Sequence, residues 1–234
     1  MAAYDLEEQE QIANLKAWWQ TYGTRITIYI CVMAIAVVGW QGWNWRQHQQ
    51  NSRAGVVYAA LFQAIGSNNP MQARSLVGEL TENFSGTNYA RMGALLAAKY
   101  AFESGDAKTA RAQLDWAVEH SKGELADLAR LRLAALLLDE KAYDEALSKL
   151  DHKPADAFLP AYAELKGDIL VAQEKPAEAR AAYQTALQAL KARNTEETDT
   201  TETPATPEDK TKNEKPESPV EIILQQKLDA LGAA

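Results

Sequence analysis

The chain has 234 residues, 47% of them apolar and 24% charged, which excludes wholesale disorder and leaves room for one ordinary domain with appendages. A single cysteine, Cys31, excludes an internal disulfide framework and a Cys/His zinc cluster, and the three histidines His48, His120 and His152 lack ligand spacing. The net charge of −8 argues against nucleic acid as a partner, because phosphate contacts need a basic face.

Residues 1–25 form a short tail, acidic at first and then carrying EEQEQIANLKAWWQTYG. Between Arg25 and Arg46 lie 20 uncharged residues, ITIYICVMAIAVVGWQGWNW, enough for a helix of about 30 Å, the thickness of a hydrocarbon core. Trp18, Trp19 and Tyr22 flank this stretch on one side and Trp40, Trp43 and Trp45 on the other, as interfacial aromatic belts do. The pattern predicts a transmembrane helix over 26–45 in contact with membrane lipid. Paired tryptophan clusters are not what a buried helix of a soluble domain needs. A cleaved signal peptide fits poorly too, since the preceding segment is acidic and no small-x-small site follows. Lys16 and Arg25 before the span tie with Arg46 and Arg53 after it, so charge leaves the orientation open. Cys31 lies within the span, where it reads as a small apolar filler.

Residues 46–193 are expected to form a helical-repeat domain. Alanine, leucine, glutamate, lysine and arginine dominate from residue 54, and strand-like alternation is missing. Breaks at 66–70, 85–87, 104–106, 121–123, 139–141, 154–160 and 174–176 delimit about eight helices in pairs. In the last pair Gly167, Leu170, Ala179, Tyr183 and Ala186, with Pro176 between helices, match the spacing of a tetratricopeptide repeat. Gly167 and Ala179 are small where two helices cross, and Tyr183 fills the gap to the next pair. The register recurs 33 residues earlier at Ala134, Leu137, Ala146 and Leu150. A further 36 back it falls on Ala98, Ala101, Ala110, Leu114 and Ala117, and 37 more on Leu61, Ala73, Val77 and Leu80. The fold class is therefore all-α: one N-terminal transmembrane helix, a tetratricopeptide-like α-solenoid and a tethered C-terminal helix.

Residues 194–218 hold eight acids against three lysines, seven threonines and three prolines, and read as a disordered acidic linker. In 219–234, Val220, Leu224, Leu228 and Leu231 recur at helical spacing, Pro219 suits a first turn and Gly232 a stop. This amphipathic helix needs a surface. The end of the repeat and the repeat's groove compete for it, and a capping role is favoured because a filled groove would block partners.

The chain resembles the family of ancillary subunits of the SecYEG translocon. The resemblance rests on EEQEQIANLKAWWQTYG, on a span ending in GWQGWNWRQHQ, and on SRAGVVYAALFQAI immediately after it. It rests as well on ADLARLRLAALLLDEKAYDEALSKLD and AYAELKGDILVAQEKPAEARAAYQTAL. The acidic segment 194–218 departs from the family's pattern. The resemblance implies a bacterial inner-membrane protein with a cytoplasmic N-terminus and a periplasmic repeat domain. It also implies association with the SecYEG translocon and with a membrane-anchored parvulin-like periplasmic chaperone, assisting secreted proteins as they emerge. A membrane-tethered repeat scaffold for envelope assembly or division is the alternative.

No Gly-rich phosphate loop, nucleophile elbow or HExxH occurs, and the neighbours His120–Ser121 and Asp151–His152 point in different directions on a helix. The carboxylates at 139–140 and 144–145 read as solvated turn residues. No catalytic, metal or cofactor residue is assigned, the chain is not expected to be an enzyme, and no small-molecule substrate is expected. In such solenoids the first helix of each pair lines a concave face. The register points Tyr58, Phe62, Met92, Leu95, Phe102, Leu128, Leu131 and Leu138 toward it, as the apolar floor of a partner-binding groove. Arg130 and Arg132 straddle Leu131, and both a place at the groove's edge and a plain solvated surface are open to them.

Overall fold

The computed structural model describes residues 2–199 and 218–232, and all its regular structure there is helical. The chain divides into two compact units, Met1–Arg53 and Ala54–Ala234.

The first unit belongs to α1 (Ala2–Gly66), the one described helix long and apolar enough to cross a membrane. Every side chain from Thr27 to Arg46 is exposed. A helix apolar and exposed all round over such a length fits a membrane anchor. Trp18 lies with its ring centroid 6.5 Å from that of Trp19 and 5.9 Å from that of Tyr22. α1 overruns both ends of the expected span 26–45: the flanking charges end the lipid-compatible stretch, but no proline or turn sequence there ends the helix.

The second unit takes the end of α1, then α2 (Pro70–Asn83), α3 (Asn88–Glu103), α4 (Ala107–His120), α5 (Glu124–Asp139), α6 (Tyr143–Leu150), a 3₁₀ turn (Asp156–Phe158), α7 (Leu159–Ala172), α8 (Pro176–Asp199) and α9 (Pro219–Gly232). Each α-helix from α2 on packs against the next in order, and α5 also meets α7. Every residue of the four-fold register, from Leu61 to Ala186, is buried. Gly167 lies under the ring of Tyr183.

The turn inside each pair repeats as well. Asn68, Gly105, Lys141 and Glu174 all have positive φ, at 53°, 79°, 61° and 60°. They are spaced 37, 36 and 33 residues apart, the same steps as the core register. The following amide donates in each case to the carbonyl five residues back: Asn69 to Ala64, Asp106 to Ala101, Ala142 to Leu137 and Lys175 to Leu170, at 2.8–2.9 Å. This is a Schellman ending four times over, and only Gly105 and Asn68 carry residue types that conformation favours. Helix starts are fixed by Asn69, Thr87 and Asp106, whose side-chain oxygens accept from the amides of Gln72, Ala90 and Thr109.

α8 runs to Asp199, six residues into the segment read as a disordered linker, because Asn194–Asp199 contains no helix breaker. The rest of that segment, 200–217, lies outside the described residues, as do 233–234 of the last segment. α9 lies against α8 with Leu224 fully buried among Ala163, Leu170, Ala179 and Tyr183, and with Leu228 and Leu231 half-buried there. Val220, expected on the same stripe, is instead 42% exposed. Glu221 takes the inward place: it accepts from the Ser218 amide, which completes a capping box, and from the Asn194 side chain of α8.

Candidate docking surface

The first helices of neighbouring pairs, α3 and α5, together with α4, enclose a groove of about 350 Å³. Ala98 and Phe102 of α3, Ala110 and Leu114 of α4, and Ala135 and Leu136 of α5 make its floor and walls. Lys99, Arg132 and Asp139 stand at its margin.

Of the eight residues expected to form one apolar floor, the fold keeps few at a surface. Phe62 is 64% exposed, Phe102 49% and Met92 43%. Phe102 is the one that lines the α3–α5 groove. Leu128, Leu131 and Leu138 are half-buried against the central core. Tyr58 is half-buried in the N-terminal core, its ring 5.8 Å from that of Tyr89. Leu95 corrects the expectation outright: at 4% exposure it is core, closed over by neighbouring helices, and offers a partner nothing. Lys99, Ala135, Leu136 and Asp139 were missed, since a register built on large apolar residues passes over small and charged ones. Of the two arginines beside Leu131, Arg130 is tied to the buried Asp127 at 3.3 Å, and Arg132 stands at the groove. Trp18, Trp19, Tyr22, Trp40, Trp43 and Trp45 are all exposed along α1.

The remaining charges hold helices together. Arg111 reaches from α4 to Glu140 at 3.0 Å and Glu145 at 2.6 Å, so these turn carboxylates are not simply solvated. Asp144 accepts from Gln173 at 2.8 Å. Asp127 accepts from the Ala155 amide, and its backbone carbonyl accepts from the Tyr162 hydroxyl, which burial and the Asp127 charge push up to about 12. His120 stacks on Trp116 at 4.1 Å rather than facing Ser121 as a base. At the far end, Lys227 of α9 donates to Glu164 at 2.9 Å and Asp168 at 2.8 Å and sits 5.5 Å from the centre of the Tyr183 ring.

An apolar groove edged by uncompensated charge suits binding a protein segment. The sequence pattern described as a tetratricopeptide repeat-like domain matches residues 16–202. The chain is 31% identical over 192 residues to an ancillary SecYEG translocon subunit of Neisseria gonorrhoeae, covering 81% of this chain and 91% of the relative. A relative of the same name in Haemophilus influenzae is 30% identical, over 80% of this chain and 92% of its own. A third, from Aggregatibacter actinomycetemcomitans, is 30% identical over 79% and 90%.

Proposed function

The chain belongs to the family of ancillary SecYEG translocon subunits and carries its tetratricopeptide repeat-like domain, and from that premise we propose that it is a membrane-anchored docking protein of the secretion channel. The observation that carries the reading is one chain joining a helix that fits a membrane anchor to a repeat unit with an open apolar groove. α1 holds the protein in the bacterial inner membrane, with residues 1–25 in the cytoplasm, 26–45 as the span and the repeat domain in the periplasm. The groove face takes a segment of the translocon or of a membrane-anchored parvulin-like periplasmic chaperone, so that secreted proteins emerge beside that chaperone. α9 closes the end of the repeat.

The anchor explains how a small groove suffices. A groove of this size supports only weak contact by itself. Two proteins in one membrane meet as if tethered, and effective concentrations in the millimolar range turn weak contacts into lasting association. No bond-making step is required of the chain, and its ion pairs serve packing.

Affinity purification of the tagged full chain from detergent-solubilised membranes tests the reading. SecYEG subunits should co-purify, and less so from a Phe62→Asp, Phe102→Asp chain. Their absence from the wild-type preparation would refute the proposal. Orientation is tested by Lys122→Cys in a Cys31→Ala chain, where a membrane-impermeant maleimide should label cysteine in spheroplasts. Labelling only after lysis would place the repeat unit in the cytoplasm.

A further inference from the structure

Arginines of the repeat unit are heavily used. Arg74, Arg91, Arg111, Arg130, Arg180 and Arg193 each donate a hydrogen bond to a carboxylate or a backbone carbonyl. Arg132 is the exception: among the described residues it makes neither a hydrogen bond nor an ion pair. It is exposed, and it lines the α3–α5 groove. Asp139, seven residues on, stands on the same side of α5, lines the same groove and is equally without a partner. An unpaired acid in the last turn of a helix faces the negative end of the helix dipole, an unfavourable place that a bound cation relieves. Lys99, also at the margin, is already engaged with Glu103 at 3.6 Å.

These two charges lie two helical turns apart, about 10.5 Å along the axis. Between them the wall is Ala135 and Leu136, faced by the half-exposed ring of Phe102. A peptide in the polyproline II conformation advances about 3.1 Å per residue with three residues per turn, so side chains three positions apart lie on one face about 9 Å apart, within side-chain reach of both charges. Resting on the docking reading above, we propose that the groove binds a protein segment with an acidic and a basic side chain three residues apart and a bulky apolar side chain between them. The acid pairs with Arg132 through its forked guanidinium, the base pairs with Asp139, and the apolar side chain packs on Phe102 and Ala135. Charge at both ends fixes direction and register, which an apolar floor alone does not. A lipid headgroup or a free anion would satisfy Arg132 and leave Asp139 and the floor unused.

Fluorescently labelled twelve-residue alanine/serine peptides test this against the full chain in detergent micelles by polarisation. Four carry at their centre Glu-Phe-Ala-Lys, Lys-Phe-Ala-Glu, Glu-Phe-Ala-Glu or Lys-Phe-Ala-Lys. One of the two mixed peptides should bind about fivefold or more tighter than either like-charged one. Arg132→Glu should move the preference to Lys-Phe-Ala-Lys, and Asp139→Lys should move it to Glu-Phe-Ala-Glu. Both positions are exposed, so the fold tolerates either change. Phe102→Ala should weaken all four. Equal binding of the four peptides, no binding of any, or a preference that ignores the two charge reversals would overturn the inference. So would concentration-dependent dimerisation lost in Phe102→Ala, which would assign the groove to a second copy of the chain. None of these results bears on whether SecYEG co-purifies, so the docking reading stands or falls separately.

Discussion

Replacing Gly167 by alanine adds one methyl group where α7 and α8 cross closely. Its Cβ would fall 2.5 Å from Cδ1 and 2.9 Å from Cζ of Tyr183, with Cε1 nearer still. The ring has no easy retreat. It is 3% exposed, its hydroxyl donates to Asp168 at 2.7 Å, and Lys227 stands on it from α9. Overpacking of a close-packed core costs about 1–3 kcal/mol, and three ring atoms in the way argue for the upper end. Alanine in place of a mid-helix glycine returns about 1 kcal/mol of helix propensity. The net loss is about 2 kcal/mol, or a Tm lowered by about 4–8 °C for a domain of this size. Thermal unfolding of the full chain in detergent, followed by far-ultraviolet circular dichroism, reads this directly. In a Tyr183→Leu background the obstruction is gone, so the same Gly167→Ala step should raise Tm by about 2–4 °C. An alanine that leaves the wild-type Tm unchanged or raises it would refute the packing argument.

Glu174→Gly should stabilise the chain by about 0.5–1 kcal/mol in urea unfolding, because glycine relieves the strain of a positive φ at a Schellman ending. An unchanged or lowered midpoint would contradict this. Leu224→Ala should cost about 2–5 kcal/mol of local stability, with α9 amides losing hydrogen-exchange protection before those of α3–α6; uniform loss across the unit would contradict α9's place at the end. Stability should be level from pH 7 to 9 and fall between about pH 10 and 12. Tyr162 is pushed up to about 12 by burial and the Asp127 charge. Tyr183 is also raised, by burial and then Asp168. Lys227 is raised on balance: burial lowers it, and its bonds to Asp168 and Glu164 prevail. A folded-state value above the unfolded one gives stability that is complete below the unfolded value and lost as pH climbs through the folded one. A urea midpoint level through pH 11 would contradict the assignment.

The core was legible because it obeys a repeat. Small residues at 98, 134 and 167 mark helix crossings, and the steps of 36 and 33 between them place the last three pairs. The turns inside the pairs were legible as breaks at 66–70, 104–106, 139–141 and 174–176, but their left-handed backbone was not, since Asn68, Lys141 and Glu174 carry no glycine to announce it. Fate on the helix surface was read least well. Leu95 and Phe102 share a helix and an apolar character, yet one is sealed and the other open, because the neighbouring helices decide it. Arg130 and Arg132 differ for a local reason: Asp127 stands one turn before the first on the same helix, while the second has no acid three or four residues away. Glu140 and Glu145 looked like turn residues until α4 supplied Arg111, 29 and 34 residues away. In α9 the apolar stripe placed Leu224 correctly, but a local capping box with Ser218 turned Val220 outward.

The central claim is that the repeat unit, and not the membrane helix alone, holds the chain to the secretion channel. Its most direct test is the affinity of the full chain for SecYEG, both reconstituted in one lipid bilayer and titrated by fluorescence energy transfer, for wild type and for the Phe62→Asp, Phe102→Asp chain. Both side chains are exposed, so helical content and Tm should be unchanged. Affinity should drop at least about tenfold, a loss of about 1.4 kcal/mol. Equal affinity in the two chains would contradict it and assign the association to α1.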